Sequence, residues 1–177
     1  MRKESCCFIG HRSIEVTEEL IERLHREIEA LIKSGVKRFL FGSKSDFNDL
    51  CHDVVTELKK TYKDIVRVAY ETKSERAVLE TEKEKVEEQA KFVLKKDVTF
   101  AAYEERIRDD KMYSSGKASY IERNELMIDA SEYCFFYYDP NYVPAVSGRR
   151  WVSDKSGTAI AYKYAVNKKK TVVNLFD

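Results

Sequence analysis

Short apolar runs alternate with longer amphipathic segments along this chain, and this alternation constrains the fold more than any other feature. Residues 5–9, 37–41 and 64–70 have the length and the residue types of buried strands. Between them, residues 17–34 and 46–62 repeat apolar side chains at helical spacing. The order strand, helix, strand, helix, strand predicts a parallel sheet with helices on both faces.

The second half of the chain returns to this alternation after a charged insertion at about residues 75–115. Within the insertion we predict a charged helix at 75–96, a short strand at 98–102 and a polar loop at 104–115 that covers the site. The later elements complete one domain over residues 1–177. They are a helix at 117–131, a strand at 133–138, a long loop at 139–155, a helix at 156–167 and a strand at 171–176.

The composition indicates one cytoplasmic domain. The 177 residues are 43% apolar, which suffices for one core, and the charged residues nearly cancel to a formal net charge of +1. A balanced charge disfavours nucleic acid as a partner, because such binding needs a concentrated basic face. No run approaches the roughly 20 apolar residues of a membrane span, and no signal-like apolar segment follows the N-terminus. We therefore expect no membrane partner.

The four cysteines lack the spacing of a metal site, so we expect buried, reduced thiols and no bound metal. A zinc site that uses Cys51 and His52 is the disfavoured alternative, because adjacent side chains on a helix point about 100° apart. The cysteines are Cys6, Cys7, Cys51 and Cys134.

Small-residue loops follow three of the predicted strands. A turn of this kind at a helix start presents backbone N–H groups beside the positive end of the helix dipole, which suits a phosphate. Since the carboxyl ends of parallel strands share one edge of the sheet, the loops predict one ligand crevice. The alternative is structural, because Ser, Gly and Thr also cap helices. The candidate ligand-binding residues are Gly10, His11, Arg12, Gly42, Ser43, Asp46, Ser156, Gly157 and Thr158.

Two side chains of the first loop suit a ligand. The Arg12 guanidinium can clamp a phosphate or carboxylate, or form an ordinary surface salt bridge. The His11 imidazole can stack on a base or bind a ribose, or it can serve as a structural loop histidine. The chain has neither the G-x-G-x-x-G fingerprint nor a Walker lysine loop, so any nucleotide would be held differently from NAD in a dehydrogenase.

A polar cluster of Glu122, Arg123 and Asn124 lies on the helix before the fourth strand, beside the predicted crevice. It can contribute to the site, or it can be a solvated helix face. Aromatic side chains that follow can stack on a base or pack in the core. They are Tyr137, Tyr138, Tyr142 and Trp151.

Several motifs in the same order resemble the SLOG superfamily, and its YpsA-like branch most closely. They are Cys7-Phe8-Ile9-Gly10-His11-Arg12, Phe41-Gly42-Ser43 with Asp46-Phe47, Arg123-Asn124 with Met127-Ile128-Asp129-Ala130-Ser131, and Ser156-Gly157-Thr158. The resemblance implies a Rossmann-like three-layer α/β fold. The superfamily includes the DprA/Smf proteins that bind single-stranded DNA, the Lonely-Guy phosphoribohydrolases, and sensor domains for NAD- or ADP-ribose-derived signals.

The last motif departs from the Lonely-Guy pattern, which is similar to PGGxGTxxE and whose Glu assists cleavage of an N-glycosidic bond. Ala161 stands where that Glu would be. Without the carboxylate, an oxocarbenium-like transition state loses electrostatic stabilisation. Asp46, Glu122 and Asp154 are the candidate substitutes. Arg123 matches an arginine of that family, so the resemblance implies phosphate binding there.

Together these features favour a binding module over an enzyme. We predict a small-molecule nucleotide ligand, derived from NAD or ADP-ribose, with phosphate on the Gly42 and Gly157 loops. The alternatives are a nucleotide N-glycosidase of Lonely-Guy type and, with less support from the net charge, single-stranded DNA binding as in DprA. No cofactor other than the nucleotide is expected, and the sequence leaves a homo-oligomer open.

Overall fold

The chain folds around a parallel β-sheet, as its alternating pattern predicts. A computed structural model describes residues 4–42, 45–70, 115–142 and 156–176. The described strands are β1 Ser5–Gly10, β2 Arg38–Phe41, β3 Val66–Ala69, β4 Tyr133–Tyr137 and β5 Thr171–Asn174. The described helices are α1 Glu18–Lys33, α2 Asp46–Lys59, α3 Ser115–Asp129 and α4 Gly157–Asn167. The prediction of a Rossmann-like α/β domain is thus confirmed.

The strand order in the sheet is β3-β2-β1-β4-β5, and every described pairing is parallel. The chain begins in the middle with β1, moves outward through β2 and β3, and then returns to the other side of β1 for β4 and β5. Topology therefore reverses between β1 and β4. In sheets of this kind, ligands bind beyond the carboxyl ends of the strands at such a point.

Two apolar layers cover the two faces of the sheet. Phe8, Phe39 and Phe41 are fully buried on the face where α1 and α2 pack. Ile9 and Leu40 lie on the opposite face, where α3 and α4 pack. Because successive side chains of a strand point to opposite faces, an uninterrupted apolar run is what a strand buried on both sides requires.

Polar side chains fix the starts of three helices. Thr17 caps α1, Ser45 caps α2 and Ser156 caps α4, and each side-chain oxygen accepts a hydrogen bond from the backbone N–H three residues later. Gly35 ends α1 with a φ of +108°, a left-handed conformation that glycine adopts without steric cost. The helix predicted at 17–34 is therefore confirmed together with its cap and its stop.

Several predicted boundaries are wrong by a few residues. The helix predicted to reach residue 62 ends at Lys59, because the Lys60 and Thr61 N–H groups donate to the carbonyls three residues back, at 3.1 and 3.0 Å, and not to those four residues back. The third strand begins at Val66, after a turn, and not at residue 64. The helix predicted at 117–131 spans Ser115–Asp129. The last strand ends at Asn174. Its side chain donates to the Tyr138 carbonyl and accepts from the Phe176 N–H, in place of further strand pairing.

Some predictions fall on residues that the structure does not describe. These are the helix at 75–96, the strand at 98–102, the loop at 104–115 apart from Ser115, and most of the loop at 139–155. Ser115 is the first residue of α3 and not part of a loop. The single domain over 1–177 stays a prediction. Within the described ranges, no helix combines the length and the apolar character that membrane crossing requires.

All four cysteines are buried and unoxidised. Burial raises the pKa of the Cys6 and Cys51 thiols well above the usual range. A hydrogen bond with Cys7, followed by burial, raises the pKa of Cys134. These thiols stay protonated, as the sequence predicts for core cysteines, and a protonated thiol is a poor nucleophile.

Candidate functional site

Three loops meet the carboxyl edge of the sheet where the topology reverses. The first follows β1, the second follows β2, and the third joins β4 to α4. β1 is the common neighbour of β2 and β4. The sequence prediction that these loops share one edge follows from the parallel topology. Of the candidate residues, Ser43 lies outside the described chain.

Two hydrogen bonds join the loop after β1 to the start of α2. The Asp46 N–H donates to the Arg12 carbonyl at 2.9 Å, and the Ile14 N–H donates to Asp46 Oδ2 at 3.2 Å. The side chains of Arg12 and Asp46 are otherwise exposed. One oxygen of the Asp46 carboxylate therefore bonds backbone and helps to fix the start of α2, while the side chain as a whole remains exposed.

Two of the candidate glycines lie against side chains of the neighbouring helices. A Cβ on Gly10 would lie 2.6 Å from Phe47 Cβ, and a Cβ on Gly42 would lie 2.3 Å from Met127 Sδ. Phe47 Cβ can move only with its backbone, so glycine is needed at position 10 for α2 to pack. At Gly42 the neighbours are the flexible side chains of Met127 and Arg123, which would have to shift. These contacts account for Gly10 and Gly42 without a ligand.

Arg123 and Asn124 lie beneath the end of β2, and not on a solvated face. Arg123 is only 3% exposed, and its Nη2 donates to Asn124 Oδ1 at 3.3 Å. A Cβ on Gly42 would lie 3.0 Å from Arg123 Nε, so the guanidinium stem abuts the β2 loop. The structure thus joins Arg123 to Gly42, as the crevice prediction requires, but the guanidinium is buried. The Glu122 side chain lies outside the described side chains.

The start of α4 differs from the other loops. Ser156 Oγ accepts from the Ala159 N–H at 3.1 Å, which satisfies one of the first N–H groups of the helix. The N–H groups of Gly157 and Thr158 precede any intrahelical acceptor. A Cβ on Gly157 would meet no described atom within 4 Å, so the backbone there is open to close approach.

Charge also distinguishes the start of α4. The first turn of α1 contains Glu18 and Glu19, and that of α2 contains Asp46 and Asp49. The first turn of α4 contains no acidic residue. Carboxylates at a helix start offset its positive dipole and repel an anion, so the first turn of α4 is less unfavourable to an anion than those of α1 and α2.

His11 joins the loop after β1 to the loop after β4. Its Nε2 accepts from the Asp139 N–H at 2.9 Å, and its ring stacks on Tyr142 with centroids 3.8 Å apart. Burial lowers the pKa of His11, although the neighbouring Asp139 acts in the opposite direction. These contacts are those of a structural histidine and leave little of the ring for a base or a ribose.

The aromatic candidates have separate roles. Tyr137 packs in the core against Phe47 and Phe176, so it is not available to stack on a base. Tyr138 packs on Tyr162 of α4 with ring centroids 4.7 Å apart, and both rings are half-buried. Tyr142 stacks on His11, and Trp151 lies outside the described chain.

Sequence reasoning missed two asparagines that build this edge. Asn48 accepts from the Gly42 N–H at 3.3 Å and donates to the Phe8 carbonyl at 3.0 Å, so it bridges β1 and the end of β2. Asn174 exchanges two hydrogen bonds of 2.9 Å with the backbone of Tyr138. The sequence signals that could have indicated them are a polar residue, Asn48, on the buried side of a helix, and a polar residue, Asn174, at the end of an apolar strand.

The described part of the chain has no cluster of metal-ligating side chains, and residue 161 carries no carboxylate. No three His, Cys, Asp or Glu side chains there lie close enough to hold a metal ion. Ala161 lies on α4 and is buried in the apolar layer between this helix and the sheet. A carboxylate at this position would enter an apolar layer, where an unpaired charge is costly.

Comparison with known proteins places the chain in a family. The solved structure of DNA processing protein A (DprA) from Streptococcus pneumoniae matches with a TM-score of 0.52 and 9% sequence identity, over 95% of this chain and 48% of that chain. This chain thus spans about half the length of that protein. No curated protein gives a significant match. The YpsA family model, described as the YspA SLOG family, matches residues 7–149, and this chain belongs to that family.

Proposed function

We propose that this protein is a nucleotide-binding module whose ligand carries a phosphate or pyrophosphate and derives from NAD or ADP-ribose. The phosphate sits on the N–H groups of Gly157 and Thr158, at the start of α4. The observation that carries the proposal is the combination there of an open glycine backbone, a serine cap and a first turn without acidic residues. Membership of the YspA SLOG family supports a nucleotide-related role.

The nucleoside end of the ligand extends toward the reversal point between β1 and β4. This direction follows from the topology, since the crevice in such sheets opens where neighbouring strands lead to opposite faces. Tyr138 and Tyr162 lie beside it, and their half-buried rings offer an aromatic edge to a base. Arg12 is exposed on the opposite loop and supplies a guanidinium for a second phosphate.

Binding without hydrolysis is the form of the function that the residues favour. Ala161 is apolar and buried, and the Asp46 carboxylate is bonded to the Ile14 N–H. Ala161 offers no carboxylate to stabilise an oxocarbenium-like transition state, and one oxygen of Asp46 is already used to fix α2. We therefore expect nucleotides to remain intact on the protein.

A thermal-shift series with ADP-ribose, NAD, AMP and ribose 5-phosphate tests the proposal. A ligand at about 100 times its Kd stabilises the folded state by about 2.7 kcal/mol, which raises Tm measurably. We expect a rise with ADP-ribose that Gly157→Asp reduces by about half and Gly157→Asn retains. Absence of any rise with all four compounds would reject the proposal. Chromatographic release of free base would replace it with a hydrolase, and salt-sensitive capture of single-stranded DNA would replace it with nucleic-acid binding.

A further inference from the structure

The His11 side chain extends the β1–β4 pairing by one step beyond the strands. The His11 N–H donates to the Tyr137 carbonyl at 3.4 Å, next to the paired residues Gly10 and Tyr137. The Asp139 N–H then donates to His11 Nε2 at 2.9 Å. The imidazole nitrogen thus stands in for the next backbone carbonyl, at the point where the topology reverses.

The segment that His11 holds is a tight turn. The Tyr142 N–H donates to the Asp139 carbonyl at 3.1 Å, and the Asn141 N–H donates to Asp139 Oδ1 at 2.8 Å. Pro140 occupies the second position of this turn, which its fixed φ favours. The turn brings the Tyr142 ring onto the imidazole, 15° from parallel.

Only one protonation state of the imidazole fits these contacts. To accept from the Asp139 N–H, Nε2 must carry no proton, so the ring is neutral with its proton on Nδ1. In an imidazolium both ring nitrogens carry a proton. The Nε2–H donor would then point at the Asp139 N–H donor, and the hydrogen bond would be lost. The described titratable groups around the ring are the Asp139 carboxylate and the phenols of Tyr138 and Tyr142.

We propose that His11 is a positioning residue: its neutral imidazole fixes the Asp139–Tyr142 turn beside the ligand crevice, and its protonation releases that turn and lowers the affinity for the nucleotide. The part that concerns the turn stands on the hydrogen bonds above. The part that concerns affinity rests on the proposed function, because this turn begins the connection from β4 to α4.

The direction of the pH effect follows from the lowered pKa of His11 in the folded protein. Above about pH 6.5, the imidazole is neutral in both the folded and the unfolded chain, and the turn contributes its full stability. As the pH falls below that value, the unfolded chain binds a proton more readily than the folded one. Stability is therefore lost until the pH drops below the folded pKa.

Nuclear magnetic resonance of the unaltered protein tests the turn without any ligand. We expect the His11 imidazole to show the Nδ1–H tautomer at about pH 8, and the Asp139 and Tyr142 amide signals to shift with its titration. An Nε2–H tautomer, or turn amides that do not follow His11, would overturn the proposal.

Two variants separate hydrogen bonding from ring stacking. His11→Gln keeps an acceptor near the position of Nε2 but does not titrate, so its turn amides should be ordered and insensitive to pH. His11→Phe keeps the stack on Tyr142 but has no acceptor, so its turn should be loosened at every pH. Identical turn signals in His11→Phe and the unaltered protein would show that the hydrogen bond positions nothing.

Titration with ADP-ribose addresses the part that depends on the function. We expect the affinity of the unaltered protein to fall as the pH is lowered through the folded pKa of His11, which lies below its ordinary value. That of His11→Gln should stay level, and that of His11→Phe should be weak throughout. A pH response retained in His11→Gln would overturn the link between His11 and affinity. Absence of binding by any form at any pH would reject the proposed function, while the turn signals would still decide the role of His11.

Discussion

The starts of α2 and α4 have the same cap but different surroundings. In each helix a serine Oγ accepts from the backbone N–H three residues later at 3.1 Å, and each helix follows a parallel strand. The first residue of α2 is Asp46, whose N–H and carboxylate both bond the loop after β1. The first residue of α4 is Gly157, which has no side chain. The start of α2 is engaged by its own protein, whereas no described side chain contacts the Gly157 position at the start of α4.

The glycines of the two regions differ in the same way. Gly10 is required by packing, because a Cβ there would meet Phe47 Cβ, and Gly42 lies against the flexible side chains of Met127 and Arg123. A Cβ on Gly157 would meet no atom of the described residues within 4 Å. A glycine that packing does not require, at a helix start without acidic residues, is the stronger indication of a ligand.

Gly10→Ala should have the largest effect on stability. The added Cβ would contact Phe47 Cβ, which cannot move without shifting α2. We expect a loss of about 1–3 kcal/mol in the free energy of unfolding, measured by urea denaturation. Gly157→Ala is the control and should change it by less than about 0.5 kcal/mol. Equal losses in the two variants would contradict the distinction between packing glycines and the open one.

Gly157→Asp should have the largest effect on binding. It gives α4 the acidic first residue that α2 has, so it should stabilise the helix by about 0.3–1 kcal/mol. The same charge should repel a phosphate and weaken ADP-ribose binding about tenfold, or ~1.4 kcal/mol, by isothermal titration calorimetry. Gly157→Asn provides a neutral side chain of similar size. An equal loss of affinity in Gly157→Asn would assign the effect to size and not to charge.

Removing the two serine caps compares the helices directly. Ser45→Ala and Ser156→Ala should each lower the free energy of unfolding by about 1 kcal/mol, because each leaves one helix N–H without its side-chain acceptor. Only Ser156→Ala should also weaken ligand binding. A matching loss of affinity in Ser45→Ala would place the ligand at α2.

Asp46→Asn should have the smallest effect. The amide keeps an oxygen for the Ile14 N–H but removes the charge at the start of α2. We expect a loss of stability of about 0.3–1 kcal/mol and no loss of ADP-ribose affinity, again from denaturation and calorimetry. A large loss of affinity would mean that Asp46 contacts the ligand.

Local patterns in the sequence account for most of the fold. The apolar runs, the caps Thr17 and Ser156 and the stop at Gly35 all encode elements that the structure contains. Strand order was not readable in the same way, because it depends on which distant strands pair. The ends of helices and strands were less predictable, since turns and side-chain hydrogen bonds decide them.

The site was predictable in outline but not in its contacts. The positions of Gly10, Gly42 and Gly157 predict the loops at the sheet edge. They do not predict which of these glycines is needed for packing. The bond between His11 and Asp139 joins residues that are 128 positions apart, so no local pattern reveals it. The burial of Arg123 likewise depends on how α3 packs beneath β2.

Amide resonances during titration with ADP-ribose test the central claim most directly. The account predicts that the Gly157 and Thr158 amide signals shift in proportion to occupancy, while those of Asp46 and Phe47 at the start of α2 stay in place. The comparison needs only the unaltered protein, so no variant has to fold. Shifts confined to the start of α2, or no shift at either helix at a saturating concentration, would contradict the account.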